Sequence, residues 1–227
     1  MRFETSSIDS IVIYFADEIS EAVLNRVTFY YKSLKSLNDN SFISIIPSYT
    51  SIYIRYDIFK FDNKCIISYI NDKFSSFKND KNMYEYQKII NIPVYYSKQS
   101  GLDLQKLSDE KRLSIDEIIH LHSFKTYLVY AVGFMPGFAY LAKVDDKIAT
   151  PRLKHPRKMV PKGSVGIADY QTAVYPRISP GGWNIIGRTP KELFNTNSKD
   201  LSPFEIGFKV KFKPITKKEY IKLGGKI

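Results

Sequence analysis

Residues 150–176 read TPRLKHPRKMVPKGSVGIADYQTAVYP, and residues 179–190 follow with SPGGWNIIGRTP. Proline and glycine interrupt both stretches, as they do the rest of the second half. Nine of the 11 prolines and ten of the 11 glycines lie beyond residue 130. Proline fixes φ and glycine permits positive φ, so this pattern predicts short strands joined by tight turns rather than long helices. We therefore expect a β domain here.

The first half of the chain alternates between strand and helix periodicity. Strand patterns cover residues 10–16, 43–46, 51–57 and 87–96, and apolar residues at helical spacing cover 18–37 and 61–77. This β-α-β-β-α-β order predicts an open sheet with two helices on one side, the ferredoxin-like arrangement. Two short helices are expected next, at residues 103–112 and 115–122, the second beginning with a Ser114–Glu117 capping box.

The polar sequence KNDKN at residues 78–82 indicates a domain boundary. We place an α/β domain over residues 1–85 and a β domain over 86–227, with the boundary between about Lys78 and Ile92. The predicted fold class is therefore α+β.

Composition excludes several classes of protein. The chain has 227 residues, a net charge of +11, 44% hydrophobic and 25% charged residues, which excludes disordered, collagen-like and coiled-coil proteins. One cysteine and three histidines predict neither a disulfide framework nor a metal site. No apolar run is long enough for a membrane span, and the N-terminus does not resemble a signal peptide, so we expect a cytoplasmic protein. The positive charge is diffuse and no reader motif occurs, so neither nucleic acid nor a membrane is a predicted partner.

Large aromatic residues recur among the glycines and prolines of the second half. Phe134, Phe138 and Tyr140 lie in GFMPGFAYL, residues 133–141, and Trp183 follows SPGG. Aromatic walls with a few fixed polar groups are typical of a small-molecule pocket. The alternative is that each ring simply fills a small β-barrel.

Residues 182–189, GWNIIGRT, have the spacing of a phosphate-binding P-loop, with arginine in place of the lysine. A P-loop lies between a buried strand and a helix, and here a Ser-Pro-Gly-Gly turn precedes the segment. We therefore do not predict an independent nucleotide site from this motif.

The blocks at residues 133–141, 150–176 and 179–190, with IIPSYTSIYIRYD at residues 45–57, resemble the family of the 5-oxoprolinase B subunit, which includes the kinase inhibitor KipI and allophanate hydrolase subunit 1. The resemblance implies an N-terminal α/β domain and a C-terminal cyclophilin-like β-barrel. It also implies a non-autonomous subunit that acts with the C and A subunits of the enzyme to open the lactam of 5-oxoproline to glutamate, using ATP. The alternatives are a KipI-like inhibitor of a sensor histidine kinase and an allophanate hydrolase-type subunit.

This chemistry requires cations, because phosphorylating a lactam oxygen needs groups that stabilise the transferring phosphoryl. The candidates are Arg152, Arg157, Lys162 and Arg188, although a given arginine can equally be solvated or salt-bridged. Arg157 and Arg188 are predicted to be catalytic, and Arg152 and Lys162 to bind substrate. The prolines around Arg157 are expected to leave its guanidinium free to contact a ligand. Any ATP site is expected to be shared with the partner subunit.

Three uncharged side chains complete the predicted site. His122 is a candidate general base because its ordinary pKa lies near neutrality, and the alternative is a hydrogen-bonded core histidine. Gln171 and Tyr175 are predicted to hydrogen-bond an amide or carboxylate, the alternative being buried, satisfied side chains. We also expect an exposed apolar patch around Met135 and Phe138 to contact the partner subunit.

Overall fold

The computed structural model describes residues 1–77 and 88–227. It divides into two compact units, residues 1–87 and 88–227. The predicted boundary after residue 85 lies outside the described residues.

The first unit is an antiparallel sheet with two helices. Its elements are β1 (Arg2–Ser7), β2 (Ser10–Tyr14), α1 (Glu21–Ser36), β3 (Phe42–Ser48), β4 (Ser51–Tyr56) and α2 (Asn63–Ser76). Ile52 and Ile54 on β4 are fully buried, as the period of two in a half-buried strand requires. The Ser20 and Asp62 side chains accept hydrogen bonds from free backbone amides and so begin the two helices.

The strand order of this sheet differs from the prediction in one strand. The order is β1-β2-β4-β3, with antiparallel neighbours, so β2 and β3 run parallel with β4 between them. Helix α1 joins β2 to β3, which gives a split β-α-β unit. The edge beside β2 is occupied by β1, which the sequence patterns did not predict. The strand expected to complete this order, at residues 87–96, pairs within the second unit instead, so the predicted order is wrong in its last strand.

The second unit is mainly antiparallel β-structure. Its elements are β5 (Ile89–Val94), α3 (Leu104–Lys111), α4 (Ile115–Phe124), β6 (Thr126–Val132), β7 (Ala139–Ala142), β8 (Arg157–Val160), β9 (Ser164–Ala168), β10 (Gln171–Val174), β11 (Ser179–Gly181), β12 (Asn184–Arg188), β13 (Lys209–Pro214) and α5 (Lys217–Lys222). The predicted α+β fold class is confirmed at the coarse level, since the structure mixes a mostly antiparallel sheet with a few helices.

Seven strands of this unit form a closed barrel. The order is β5-β13-β6-β7-β10-β9-β12, in which only β5 and β13 pair in parallel. Tyr95, directly after β5, exchanges two backbone hydrogen bonds of 2.9 and 3.0 Å with Arg188 at the end of β12. The two ends of the sheet therefore meet. Strands β8 and β11 form a separate two-stranded ribbon.

His122 lies on α4 and is fully buried against the barrel strands. Its Nδ1 is 2.8 Å from the Tyr96 hydroxyl, and its Nε2 is 2.8 Å from Thr172 Oγ1. Thr172 donates its own proton to the Gly166 carbonyl at 3.0 Å, so its oxygen must accept from Nε2–H. Nδ1 is then the acceptor for Tyr96. Both ring nitrogens are occupied and neither reaches solvent, so the prediction of His122 as a general base is corrected: it is a core residue.

Burial makes the charged form of this histidine unfavourable. Removal from water lowers the pKa of His122 from 6.5 to about 3. The unfolded chain therefore takes up a proton near pH 6.5 that the folded chain does not bind until far lower pH. Stability contributed by this group is present above about pH 6.5 and is lost progressively as the pH falls toward 3.

We predict that the unfolding free energy of the second unit falls by about 2 kcal/mol between about pH 7 and pH 5 through His122 alone. Urea unfolding followed by fluorescence of the single tryptophan, Trp183, measures this quantity. The His122→Gln variant should be less stable at neutral pH but nearly flat over the same interval. Hydrogen bonds from Ser114 and Thr216 lower the pKa values of the capping carboxylates Glu117 and Glu219, so these two groups titrate below this pH interval. Equal pH dependence in the two proteins would contradict the buried neutral histidine.

Candidate functional site

The Arg152 cleft is a concave surface of about 530 Å³ on the second unit, within the usual size range of small-molecule sites. Three parts of the chain form its wall. They are the loop of residues 150–155, the first residues of strands β8 and β12, and helix α3 together with Asp103, the residue that precedes this helix. The lining residues are Thr150, Pro151, Arg152, Leu153, Lys154, His155, Arg157, Asn184, Asp103, Lys106 and Glu110.

Hydrogen bonds to neighbouring strands fix the loop that carries Arg152. Thr150 exchanges two backbone hydrogen bonds with Asp169, and the Leu153 amide donates to the Gly182 carbonyl at 2.7 Å. The buried Asn184 side chain donates to the Pro151 carbonyl at 2.8 Å. The loop is therefore anchored on both sides of Arg152, whose own side chain is exposed. A side chain held in this way loses little further backbone freedom when it binds a ligand.

An ion pair forms the inner wall of the cleft. Arg157 Nη2 lies 2.6 Å from Asp103 Oδ1, and the Asp103 side chain is only 5% exposed. The second carboxylate oxygen accepts the Ile185 amide at 2.7 Å, so Asp103 ties α3 to both β8 and β12. Arg157 Nη1 is buried and has no hydrogen-bond partner among the described residues. The prediction of a free Arg157 guanidinium is therefore wrong, since a buried carboxylate holds one of its nitrogens.

The Arg188 cleft is a smaller concave surface, about 290 Å³, at the other end of the same strands. It contains the predicted cations Lys162 and Arg188, together with Lys191 and residues 224–226 of the tail. Strand β8 begins with Arg157 at the Arg152 cleft and leads to Lys162, and β12 runs from Asn184 to Arg188. A strand rises about 3.3 Å per residue, so about 13 Å of backbone separates the two clefts along β12. The four predicted cations therefore divide into two pairs.

The predicted aromatic wall is largely core. Phe138, Tyr175 and Trp183 are at most 5% exposed and pack with Met135 and other apolar residues in one buried cluster. Phe138 contacts Trp183 and Tyr175 edge to face, at ring distances of 5.8 and 5.6 Å. The predicted exposed patch around Met135 and Phe138 is therefore wrong, because both side chains are buried. These rings are buried side chains rather than a pocket wall, but they form a cluster separate from the main core of the second unit.

The remaining predicted contacts lie outside both clefts. Phe134 is 63% exposed, and Tyr140 is half-buried against the aromatic cluster. Gln171 is half-buried on β10, which pairs with β7 and β9. Their predicted substrate contacts stay predictions. The Tyr175 hydroxyl packs against Gly181, where a Cβ atom would lie 2.3 Å away, and burial raises the pKa of that hydroxyl.

The sequence did not predict Asp103, Asn184 or Lys154 as residues of the Arg152 cleft. Asp103 lay at the expected start of a helix, where an acidic residue is ordinary, so nothing local indicated a partner at residue 157. Asn184 lay inside the segment with P-loop spacing. In the structure that segment is the extended strand β12, whose amides bond to Asp103, Tyr95 and β9.

Among the described residues no group of three or more His, Cys, Asp or Glu side chains is placed to hold a metal ion. Within residues 1–77 and 88–227, no helix is both long and apolar enough to span a membrane.

Comparison with known proteins places these features in a family. Residues 1–204 match the family described as "Carboxyltransferase domain, subdomain C and D". The chain is 36% identical over 220 residues to the B subunit of 5-oxoprolinase from Bacillus subtilis strain 168, covering 93% of this chain and 91% of that protein.

Solved structures share the fold. The crystal structure of TTHA0988 matches 92% of this chain with a TM-score of 0.82 and 27% identity, and this chain spans 40% of its length. Urea carboxylase of Kluyveromyces lactis matches 97% of this chain with a TM-score of 0.75, and this chain spans 22% of its length. Its identity is 15%, so this second likeness shows the fold alone.

We predict that Arg157→Ala destabilises the second unit by about 3 kcal/mol, because it leaves the buried Asp103 carboxylate without its partner, and that Asp103→Ala costs somewhat less, because the Arg157 side chain keeps 27% of its surface exposed. The matched control is Lys106→Ala, which removes an exposed pair with Glu110 and should cost less than about 1 kcal/mol. Urea unfolding followed by Trp183 fluorescence reports all three variants. An Arg157→Ala midpoint equal to that of Lys106→Ala would show that the ion pair does not hold the cleft together.

Proposed function

The chain belongs to the carboxyltransferase subdomain C and D family, and we propose that it is one subunit of an ATP-dependent 5-oxoprolinase, which opens 5-oxoproline to glutamate. The Bacillus subtilis relative is named as the B subunit of 5-oxoprolinase, and that name supports this activity and an assembly of several subunits. We propose the C and A subunits of such an enzyme as the partners and expect the chain to be inactive alone. The same relationship supports a cyclophilin-like fold for the barrel of the second unit, while the first unit keeps only the split β-α-β part of the ferredoxin-like arrangement.

The observation that carries this proposal is the Arg152 cleft itself. 5-Oxoproline presents a carboxylate and a lactam amide, and Arg152 offers a planar fork that pairs with a carboxylate or phosphoryl group. Lys154 lies two residues further along the same anchored loop. Within the described residues neither Arg152 nor Lys154 forms an ion pair, so their charge is available to an anionic ligand.

Arg157 contributes a second donor to the same wall. A buried donor without an acceptor costs about 1–3 kcal/mol. A ligand oxygen that approached Nη1 through small movements of the wall would recover that cost. Asp103 fixes the orientation of this guanidinium through Nη2, and so acts as a positioning residue rather than a catalytic one.

Opening the lactam requires activation, because an amide is a poor electrophile. ATP supplies this activation as a substrate that phosphorylates the lactam oxygen, and the transferring group needs cations around it. The charge of the Arg152 cleft fits that requirement. We propose that ATP is held there jointly with the partner subunit, while Arg152 orients the anionic end of the substrate.

We predict that Arg152→Ala lowers kcat/KM of the reconstituted complex about 100-fold, since a bidentate charged contact made in a transition state contributes about 3 kcal/mol. The assay is ATP-dependent release of glutamate from 5-oxoproline. Arg152→Lys should restore only part of the rate, because the charge remains while the fork is lost. Stability should change by less than about 0.5 kcal/mol, since Arg152 is exposed.

The matched control is Arg177→Ala, which removes an exposed arginine of the same unit outside both clefts. It should leave turnover unchanged. Near-normal turnover in a correctly assembled Arg152→Ala complex would remove Arg152 from the proposed site. A wild-type complex that assembles but releases no glutamate would contradict the proposed activity itself.

A further inference from the structure

The Arg188 cleft concentrates positive charge. Its charged lining residues are Lys162, Arg188, Lys191 and Lys226, and no acidic residue is found among the described residues that line it. Like charges gathered in one concave surface repel each other and raise the local concentration of anions. We propose that this cleft binds the phosphate chain of a small polyphosphate, such as a nucleoside triphosphate, at a site separate from the Arg152 cleft.

Arg188 is held ready to receive such a ligand. Its backbone is fixed on both sides, by the hydrogen bonds with Tyr95 that close the barrel and by pairing with Ser164 on β9. Its Nε donates to the Lys162 carbonyl at 2.8 Å, which orients the guanidinium. The two terminal nitrogens make no hydrogen bond to the described residues. A fork with both ends available is the geometry that pairs bidentately with phosphate oxygens.

Lys191 adds a second positioned cation. Its backbone amide donates to the Thr189 hydroxyl at 3.1 Å, and its ammonium donates to the Asn91 carbonyl at 3.0 Å. Burial, and after it the nearby Lys88, lower the pKa of Lys191. No carboxylate of the described chain forms an ion pair with Lys191, so its charge is compensated only by a carbonyl dipole.

The other two cations, Lys162 and Lys226, are held by fewer contacts. Lys162 lies 3.4 Å from Glu192, but both side chains are about half exposed, and such pairs are weak. Lys226 lies in the tail, where its carbonyl accepts the Tyr220 hydroxyl at 3.0 Å. Gly225 packs against the Tyr220 ring, with a Cβ position 2.4 Å from it, so only glycine lets the tail approach so closely.

The size and position of the cleft limit what it binds. A volume of about 290 Å³ lies just below the usual range for a whole small-molecule ligand, so it suits a phosphate chain with the nucleoside outside. Reacting atoms must come within about 3–3.5 Å of each other. About 13 Å of strand separates the two clefts. A polyphosphate in the Arg188 cleft is therefore not the phosphoryl donor for a substrate in the Arg152 cleft, and the site serves binding or regulation.

Isothermal titration of the full chain with inorganic tripolyphosphate, at about 150 mM salt, tests the proposal without reference to any enzymatic activity. We expect micromolar binding, with ATP close to tripolyphosphate and monophosphate weaker by at least about tenfold, since fewer charges are paired. Arg188→Ala should weaken tripolyphosphate binding at least about tenfold, and Arg188→Lys less. Because Arg188 also closes the barrel, the second variant is Lys226→Ala, an exposed substitution that should weaken binding about threefold or more without changing the urea midpoint.

The charge-matched control is Arg177→Ala, which lies outside the cleft and should change affinity less than about twofold. If Arg177→Ala and Arg188→Ala weakened tripolyphosphate binding equally, the binding would reflect diffuse attraction to a basic protein, and the proposed site would be overturned. Absence of binding at about 1 mM tripolyphosphate would overturn it as well. If tripolyphosphate still binds to an assembled complex that has no 5-oxoprolinase activity, this binding site is supported and the proposed activity is contradicted.

Discussion

The two hydrogen bonds between Tyr95 and Arg188 close the barrel of the second unit, and both clefts depend on that closure. They fix the C-terminal end of β12 at Arg188, while the N-terminal end of this strand carries Asn184. Near the N-terminal end, Gly101 approaches Ile186 so closely that a Cβ atom on Gly101 would lie 2.4 Å from the backbone carbonyl of Ile186. That approach brings Asp103 within reach of the Ile185 amide and of Arg157. One strand thus positions the walls of two separate basic clefts.

The separation has a chemical consequence. Activating a lactam with ATP needs cations at the reacting group, and the larger cleft, where a small substrate fits, offers Arg152, Lys154 and Arg157, with Lys106 already paired to Glu110. Arg188 stands about 13 Å further along β12, with Lys162 beside it in the Arg188 cleft, too far for direct contact with the same reacting atoms. The reaction proposed for the Arg152 cleft therefore needs further groups, and a partner subunit is the natural source of them.

Sequence reasoning predicted local features better than long-range ones. The Ser114–Glu117 capping box is present because its residues are neighbours, and the excess of glycine and proline correctly indicated short strands and turns. The sequence could not show that residues 89–94 pair with β13, because that pairing joins segments more than a hundred residues apart. It also could not show that Asp103 holds Arg157, since 54 residues separate the two partners. His122 was ambiguous for a related reason: its burial arises from Tyr96, Thr172 and Phe212, none of them near it in sequence.

We propose that the second unit holds two separate anion sites, one for 5-oxoproline and one for a polyphosphate. Chemical-shift mapping of the 15N-labelled chain, titrated in turn with 5-oxoproline and with tripolyphosphate, tests this claim most directly. We expect 5-oxoproline to shift the amide signals of residues 150–157 and 184, and tripolyphosphate to shift those of residues 188–191 and 224–226. Perturbation of the same amides by both ligands, or of residues spread over the whole basic surface, would contradict it.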